Sequence, residues 1–153
     1  MQIVIHTDGA AQGNPGKGGY GVVLQSGKHY KELSQGFKYT TNNRMELLAV
    51  IVALEAIKDG GADVLVVSDS KYVVDAVEKK WLFGWEKKNF AKKKNPDLWK
   101  RFLVVYRKHK VALKWIKGHA GHPLNERCDE LAVQAANSSD LVLDEYYELH
   151  DKA

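Results

Sequence analysis

The chain has 153 residues, of which 44% are hydrophobic and 27% charged, with a formal net charge of +4. That length and balance suit one domain around a single core. No apolar run reaches the roughly 18 residues needed to cross a bilayer, and Cys128, the single cysteine, has no internal disulfide partner.

The N-terminus carries no basic leader and enters an apolar run at once, which argues against a signal peptide and for a cytoplasmic protein. Ile3–Thr7 alternates and is β-branched, so it predicts a strand that Asp8-Gly9-Ala10 ends. Gly13-Asn14-Pro15-Gly16 is a turn, and Gly18–Leu24 and His29–Gln35 predict two further strands joined as a hairpin across Ser26-Gly27-Lys28. Thr40-Thr41-Asn42-Asn43 offers N-caps for a helix that carries Met45, Leu48, Ile51, Val52 and Leu54 at helical spacing and is ended by Gly60-Gly61. Its middle is almost wholly apolar, so it is expected to be buried. Val64–Val67 reads as a buried central strand, followed by Ser68-Asp69-Ser70 and a short helix through Tyr72, Val73 and Val77.

Between Trp81 and Asn95 the apolar pattern fails, and aromatics alternate with lysines. From Lys79 to Lys110 twelve Lys and Arg face two acids, Glu86 and Asp97, a local charge of +10 that leaves −6 for the remainder. Such a basic block points to nucleic acid more than the modest total does, although a solvated helical surface has the same appearance. An exposed basic projection is expected here. Pro96-Asp97 opens the next helix, Val111–Ile116 is a fifth strand, and Pro123 opens a last helix running to about Asn137. The acidic remainder from Ser138 either frays or is docked by Leu141 and Leu143. The expected fold is α/β: a five-stranded mixed sheet, an antiparallel meander plus parallel strands, flanked by helices. No spare amphipathic surface stands out, so a monomer is expected.

Four acids sit where an apolar strand or helix gives way. Asp8 and Asp69 each follow a strand, and if those strands are parallel neighbours, both carboxylates emerge at one sheet end, where open α/β sheets bind ligands. Glu46 lies among Met45, Leu47 and Leu48, a setting in which a carboxylate needs a partner or a metal. Asp129 lies in the last helix. Clustered carboxylates repel one another unless a cation is present. Oxygen donors without a Cys/His cage favour Mg²⁺ or Mn²⁺ over zinc, and the spacing of His119, His122 and Cys128 fits no usual zinc pattern. Taken singly, each acid also has an ordinary reading. Asp8 suits a turn, Asp69 an N-cap, Glu46 a capping box answering Asn43, and Asp129 surface charge. His119, between glycines, suits either proton transfer or an exposed loop.

The stretches HTDGAAQGNPGKGGYG, TTNNRMELLAVIVALEAI, SDSKYVVDAV and IKGHAGHPLNERCDELA resemble the bacterial type 1 ribonuclease H family across about residues 2–137. The resemblance implies a catalytic domain over 1–137 with an acidic tail over 138–153. It implies an endonuclease that hydrolyses the RNA strand of RNA/DNA hybrids by two-metal catalysis and leaves 5′-phosphate and 3′-hydroxyl ends. Asp8, Glu46, Asp69 and Asp129 become the metal ligands, with Asp8 bridging both ions, and His119 moves protons or helps release product. Asn14, Asn42 and Asn43 match minor-groove residues, and Thr41 matches a contact to a DNA phosphate. Backbone groups near Gly9–Gln12, with the Glu46 side chain, would read the 2′-hydroxyl. Trp81 would stack on a DNA sugar, and lysines of the basic stretch, Lys87 and Lys88 among them, would supply salt-sensitive phosphate affinity. With nothing read ahead of Met1, that stretch is expected to carry affinity and processivity by itself. Trp85, Phe90 and Trp99 are expected to pack internally.

Two positions depart from the family pattern: Lys71 stands where several relatives have glutamine, and Leu124 replaces a polar residue beside the histidine loop. The tail from Ser138 matches nothing carried by the resemblance. Two rivals remain at this stage, a non-catalytic hybrid-binding module and a DNA nuclease of the same superfamily. The presence of all four acids weighs against the first; the Asn42-Asn43 pair and the His119 loop weigh against the second.

Overall fold

A computed structural model describes residues 2–151. Met1, Lys152 and Ala153, the outer ends of the expected domain and tail, lie outside the described residues. Strands β1 (Gln2–Gln12), β2 (Gly16–Ser26) and β3 (His29–Thr40) form the antiparallel meander. Strands β4 (Asp63–Ser68) and β5 (Lys110–Trp115) extend it in parallel on the other side of β1. Valines 64, 66 and 67 of β4 are buried, as a central parallel strand requires.

The sheet has six strands rather than the expected five, in the order β5-β4-β1-β2-β3-β6. The sixth, β6 (Leu141–Val142), pairs parallel with Gly36 and Phe37 of β3. Two residues are too few to show an alternating pattern. The tail is therefore docked through Leu141, while Leu143 stays half exposed. Strand β1 also outruns its expected end, because β2 pairs with it as far as Gln12↔Lys17.

Helix α1 (Asn42–Glu55) is capped by the Thr41 side chain and stops short of Gly60-Gly61, with Ala56 as its C-cap. Helix α2 (Lys71–Glu78) follows Asp69, with Ser70 as its N-cap. The expected basic projection contains a helix, α3 (Trp81–Lys87), ahead of α4 (Pro96–Tyr106). Leu82 and Phe90 are its buried anchors, and Trp85 meets the fully buried Trp99 edge-on at 5.8 Å. The expected internal packing of Trp85, Phe90 and Trp99 is thus what the structure has.

Helix α5 (Pro123–Ala136) lies on the face opposite α1. Val22 points into the large core under α1, whereas its neighbour Val23 joins Cys128 and Leu131 of α5. Leu124 packs on this small cluster, which accounts for an apolar residue beside the histidine loop. A Cβ at Gly19, Gly21 or Gly36 would strike backbone atoms of Ala132, Cys128 or Ala135. The absence of side chains there lets α5 rest directly on the sheet.

Candidate active site

The parallel ladder between β1 and β4 ends at Thr7↔Ser68. Asp8 and Asp69 are the next residues on each strand, so the two carboxylates leave the ladder side by side. Two hydroxyls hold the turn after β4: Ser70 N–H donates to Ser68 Oγ at 3.0 Å, and Val73 N–H to Ser70 Oγ at 3.3 Å. Ser70, not Asp69, caps α2, which leaves the Asp69 carboxylate free of a capping role. Likewise Glu46 answers no capping box; its Oε1 accepts the Gly9 N–H at 2.5 Å. Gly9 lies against the backbone of Met45 and Glu46, where any Cβ would collide.

Asp8, Glu46 and Asp69 each offer a carboxylate oxygen, and these atoms lie within 4.8 Å of one another. Burial, then the charges of Asp69 and Asp129, push the Asp8 carboxyl up to about 8. Burial, then Asp8 and Asp69, push Glu46 well above the carboxylate range. Without a cation the Asp8–Glu46 pair holds a proton. Asp129, half-buried on α5, stands outside the tight group of three and reaches Asp8 through its field.

The loop after β5 closes over Asp69. Ile116 N–H donates to Ser68 O at 2.9 Å, Trp115 Nε1 to Asp69 O at 2.9 Å, and Gly118 abuts the Asp69 carboxylate. His119 is exposed on this loop with φ +55°. Lys71, exposed at the start of α2, sets its ammonium 4.7 Å over the Trp115 ring.

Asn14, Thr41 and Asn43 line one cleft of about 520 Å³, together with Tyr72, Lys94, Asn95, Tyr147 and Asp151. Asn14 Oδ1 accepts the Asn42 N–H at 3.1 Å, which ties the first turn to the start of α1. Thr41 Oγ1 accepts the Arg44 N–H at 3.2 Å and keeps its own proton to donate. Gln12, at the far end of β1, donates to the Asn137 side chain. Trp81, 49% exposed, lines a hollow of about 280 Å³ with Tyr72, Trp85, Lys93, Lys94 and Trp99. Lys87 and Lys88 are exposed at the end of α3. A larger hollow, about 880 Å³, is lined by Ile3, His29, Ile57 and Lys58 and contains none of the carboxylates.

Sequence reasoning missed Arg44. Buried at 1% exposure, it is held by Asp97 at 2.9 and 2.7 Å and by Asp144 at 2.7 and 2.9 Å. A guanidinium inside an apolar helix was the available signal, since such a charge must be paired.

Residues 1–137 match the RNase H family. The chain belongs to the RNase H family. A "Ribonuclease H" of Desulforamulus reducens is 53% identical over 148 residues, covering 94% of this chain and 92% of the relative. One from Shewanella amazonensis is 52% identical over 152 residues, covering 96% of each. Among solved structures, LC9-RNase H1, described as a type 1 RNase H with the type 2 active-site motif, aligns with a TM-score of 0.81 at 30% identity. That alignment covers 99% of this chain and 82% of the other. LC11-RNase H1 in complex with RNA/DNA hybrid aligns with a TM-score of 0.66 at 29% identity, covering 88% and 96%. The six-stranded sheet and its flanking helices are thus an RNase H fold, and the carboxylate cluster stands on it.

Proposed function

We propose that the chain is an endonuclease that hydrolyses the RNA strand of RNA/DNA hybrids, leaving 5′-phosphate and 3′-hydroxyl ends. The observation that carries this reading is the gathering of Asp8, Glu46 and Asp69 within 4.8 Å in a chain of the RNase H family. These residues fit a divalent cation. The donors are all hard oxygens, which suit Mg²⁺ with Mn²⁺ as substitute, and positive charge relieves the repulsion that raises Asp8 and Glu46. Asp8, Glu46, Asp69 and Asp129 would hold two ions. Bound there, the ions would activate water and neutralise charge on the leaving oxygen.

The chain's own groups do the rest. Asp8 and Glu46 would have to give up their shared proton to hold cations, so metal affinity should rise with pH. The Gly9 N–H holds Glu46 against Asp8. His119, on the loop against Asp69, carries a proton to or from the reacting oxygen. Asn14, Asn42 and Asn43 reach into the minor groove and Thr41 contacts a DNA-strand phosphate, with Asn14, Thr41 and Asn43 sharing one cleft. Gly9, Gln12 and Glu46 read the 2′-hydroxyl. Lys71 is a cationic minor-groove contact, Trp81 stacks on the DNA sugar, and Lys87 and Lys88 neutralise phosphates. In this reading residues 1–137 are the catalytic unit and 138–153 an appended acidic segment.

No helix among the described residues is long and apolar enough to cross a membrane. A cytoplasmic monomer is part of the proposal, supported by a single cysteine whose buried thiol is pushed up to about 12 and kept unreactive. The deciding experiment is a cleavage panel with Mg²⁺ on RNA/DNA, RNA/RNA and DNA/DNA duplexes. Cutting confined to RNA opposite DNA is the expected result. Cutting of DNA/DNA, or wild-type turnover by Asp8→Asn, would sink the reading.

A further inference from the structure

The acidic C-terminal segment is built into the fold and ends with an exposed carboxylate at the cleft. Leu141 and Val142 pair with β3. Asp144, 8% exposed, accepts from Thr40 Oγ1 at 2.7 Å and from Arg44 Nε at 2.7 Å. Those two donors bracket Thr41, so the segment is pinned beside the cleft of Asn14 and Thr41. Tyr147 is buried against Tyr39, with ring centroids 5.8 Å apart. A single π-helical turn, Tyr147–Asp151, then brings Asp151 to the same cleft as Asn14, Thr41, Asn43 and Lys94. Within this turn the His150 ring packs on Tyr146 at 4.6 Å and the Glu148 N–H donates to Asp144 O at 3.0 Å, while Leu149, at 78%, and Asp151 are exposed.

A carboxylate in a cleft that receives a phosphodiester opposes the ligand's charge. Among the described residues Lys94 is the only cation in the lining of about 520 Å³, and Asp151 offsets it. We propose that the C-terminal turn is a wall of the substrate cleft and that Asp151 sets the affinity for the hybrid by opposing the phosphate there. The inference rests on the reading of Asn14 and Thr41 as substrate contacts. Asp151 touches no reacting group in this scheme. It determines how tightly the hybrid is held.

The test compares KM and kcat of the full-length chain on a short labelled RNA/DNA hybrid with Mg²⁺, at low and high KCl. Removing one exposed charge of this kind changes binding by about two- to fivefold at low salt. Asp151→Asn should lower KM by that factor with kcat held, and Asp151→Lys should lower it further. Both differences should shrink at high salt. Asp140→Asn removes the same charge from the same segment but away from the cleft, and should leave KM unchanged. An unchanged or raised KM for Asp151→Asn overturns the inference, as does an equal effect from Asp140→Asn, which would mean that net charge alone acts. Asn14→Ala and Thr41→Val separate the two readings. If they raise KM while Asp151→Asn does nothing, only this inference fails; if they leave KM unchanged, the substrate cleft itself is misassigned.

Discussion

Gly9 donates its backbone N–H to the Glu46 carboxylate at 2.5 Å, joining the first strand to a helix residue 37 positions later. The same N–H lies 2.9 Å from Asp8 Oδ1, so one donor orients two carboxylates. Gly9→Ala places a methyl group against the backbone of Met45 and Glu46. Overpacking of that kind costs roughly 1–3 kcal/mol, and the displaced carboxylate should cost about a hundredfold in kcat/KM. Chemical denaturation and steady-state cleavage measure the two effects, and a fully active Gly9→Ala enzyme would contradict the contact.

Asp8 and Glu46 bind protons more tightly in the folded chain than in the unfolded one, since both carboxyls are raised. Their contribution therefore favours the fold where they are protonated. It is lost as pH climbs from the ordinary carboxylate range, about 4, through the raised value of about 8 for Asp8. In EDTA the Tm should fall across this window by an amount on the order of a few kcal/mol of stability. Mg²⁺ should reverse the loss, and Asp8→Asn should remove most of it. A metal-free melting profile identical for wild type and Asp8→Asn would show that the carboxylates do not repel as the geometry implies.

Arg44 joins Asp97 of α4 to Asp144 of the C-terminal segment from inside the core. Arg44→Met strands two carboxylates and should cost about 3–5 kcal/mol. Asp144→Asn leaves the Asp97 pair intact and should cost about 1–3 kcal/mol. It should release β6, read as faster hydrogen exchange at Phe37 and Val142 with the β1–β2 ladder still protected. Equal protection in both variants would mean that strand pairing alone holds the segment.

Lys87 and Lys88 are exposed beside a hollow of about 610 Å³ lined by Lys80, Trp81, Trp85, Lys88 and Lys92. Replacing either with alanine should weaken hybrid binding at all sequences alike and reduce the slope of log affinity against log salt by about 0.9. The kcat should hold. Fluorescence anisotropy over a salt series reads the slope, and an unchanged slope would remove that lysine from the phosphate contacts.

The site was largely legible because its acids sit at pattern boundaries. Val64–Val67 reads as a buried run, so Asp69, just beyond it, had to lie at a strand end; the ladder ending at Thr7↔Ser68 has that geometry. The features that were not legible depend on distant chain. Helix α3 shows no apolar period because Leu82 is its one buried residue, and its support comes from Trp99 on the next helix. Strand β6 is too short to carry a pattern. Tyr72, Lys94 and Asn95 join the cleft of Asn14 and Thr41 only through folding, with no local spacing to announce them. Arg44 differs from these, because a charge inside an apolar helix is visible in the sequence itself.

The bare glycines beneath α5 have a consequence for how this enzyme can change over generations. Where two elements meet through side chains, drift can trade bulk on one side for room on the other and slide the elements by fractions of an ångström. At Gly19, Gly21 and Gly36 the helix meets the sheet backbone to backbone, with no bulk to trade. The spacing between Asp129 and the strand that carries Asp8 is then inherited as a fixed quantity. Substitutions in the basic helix or the C-terminal turn lie away from these glycine contacts and leave that spacing untouched.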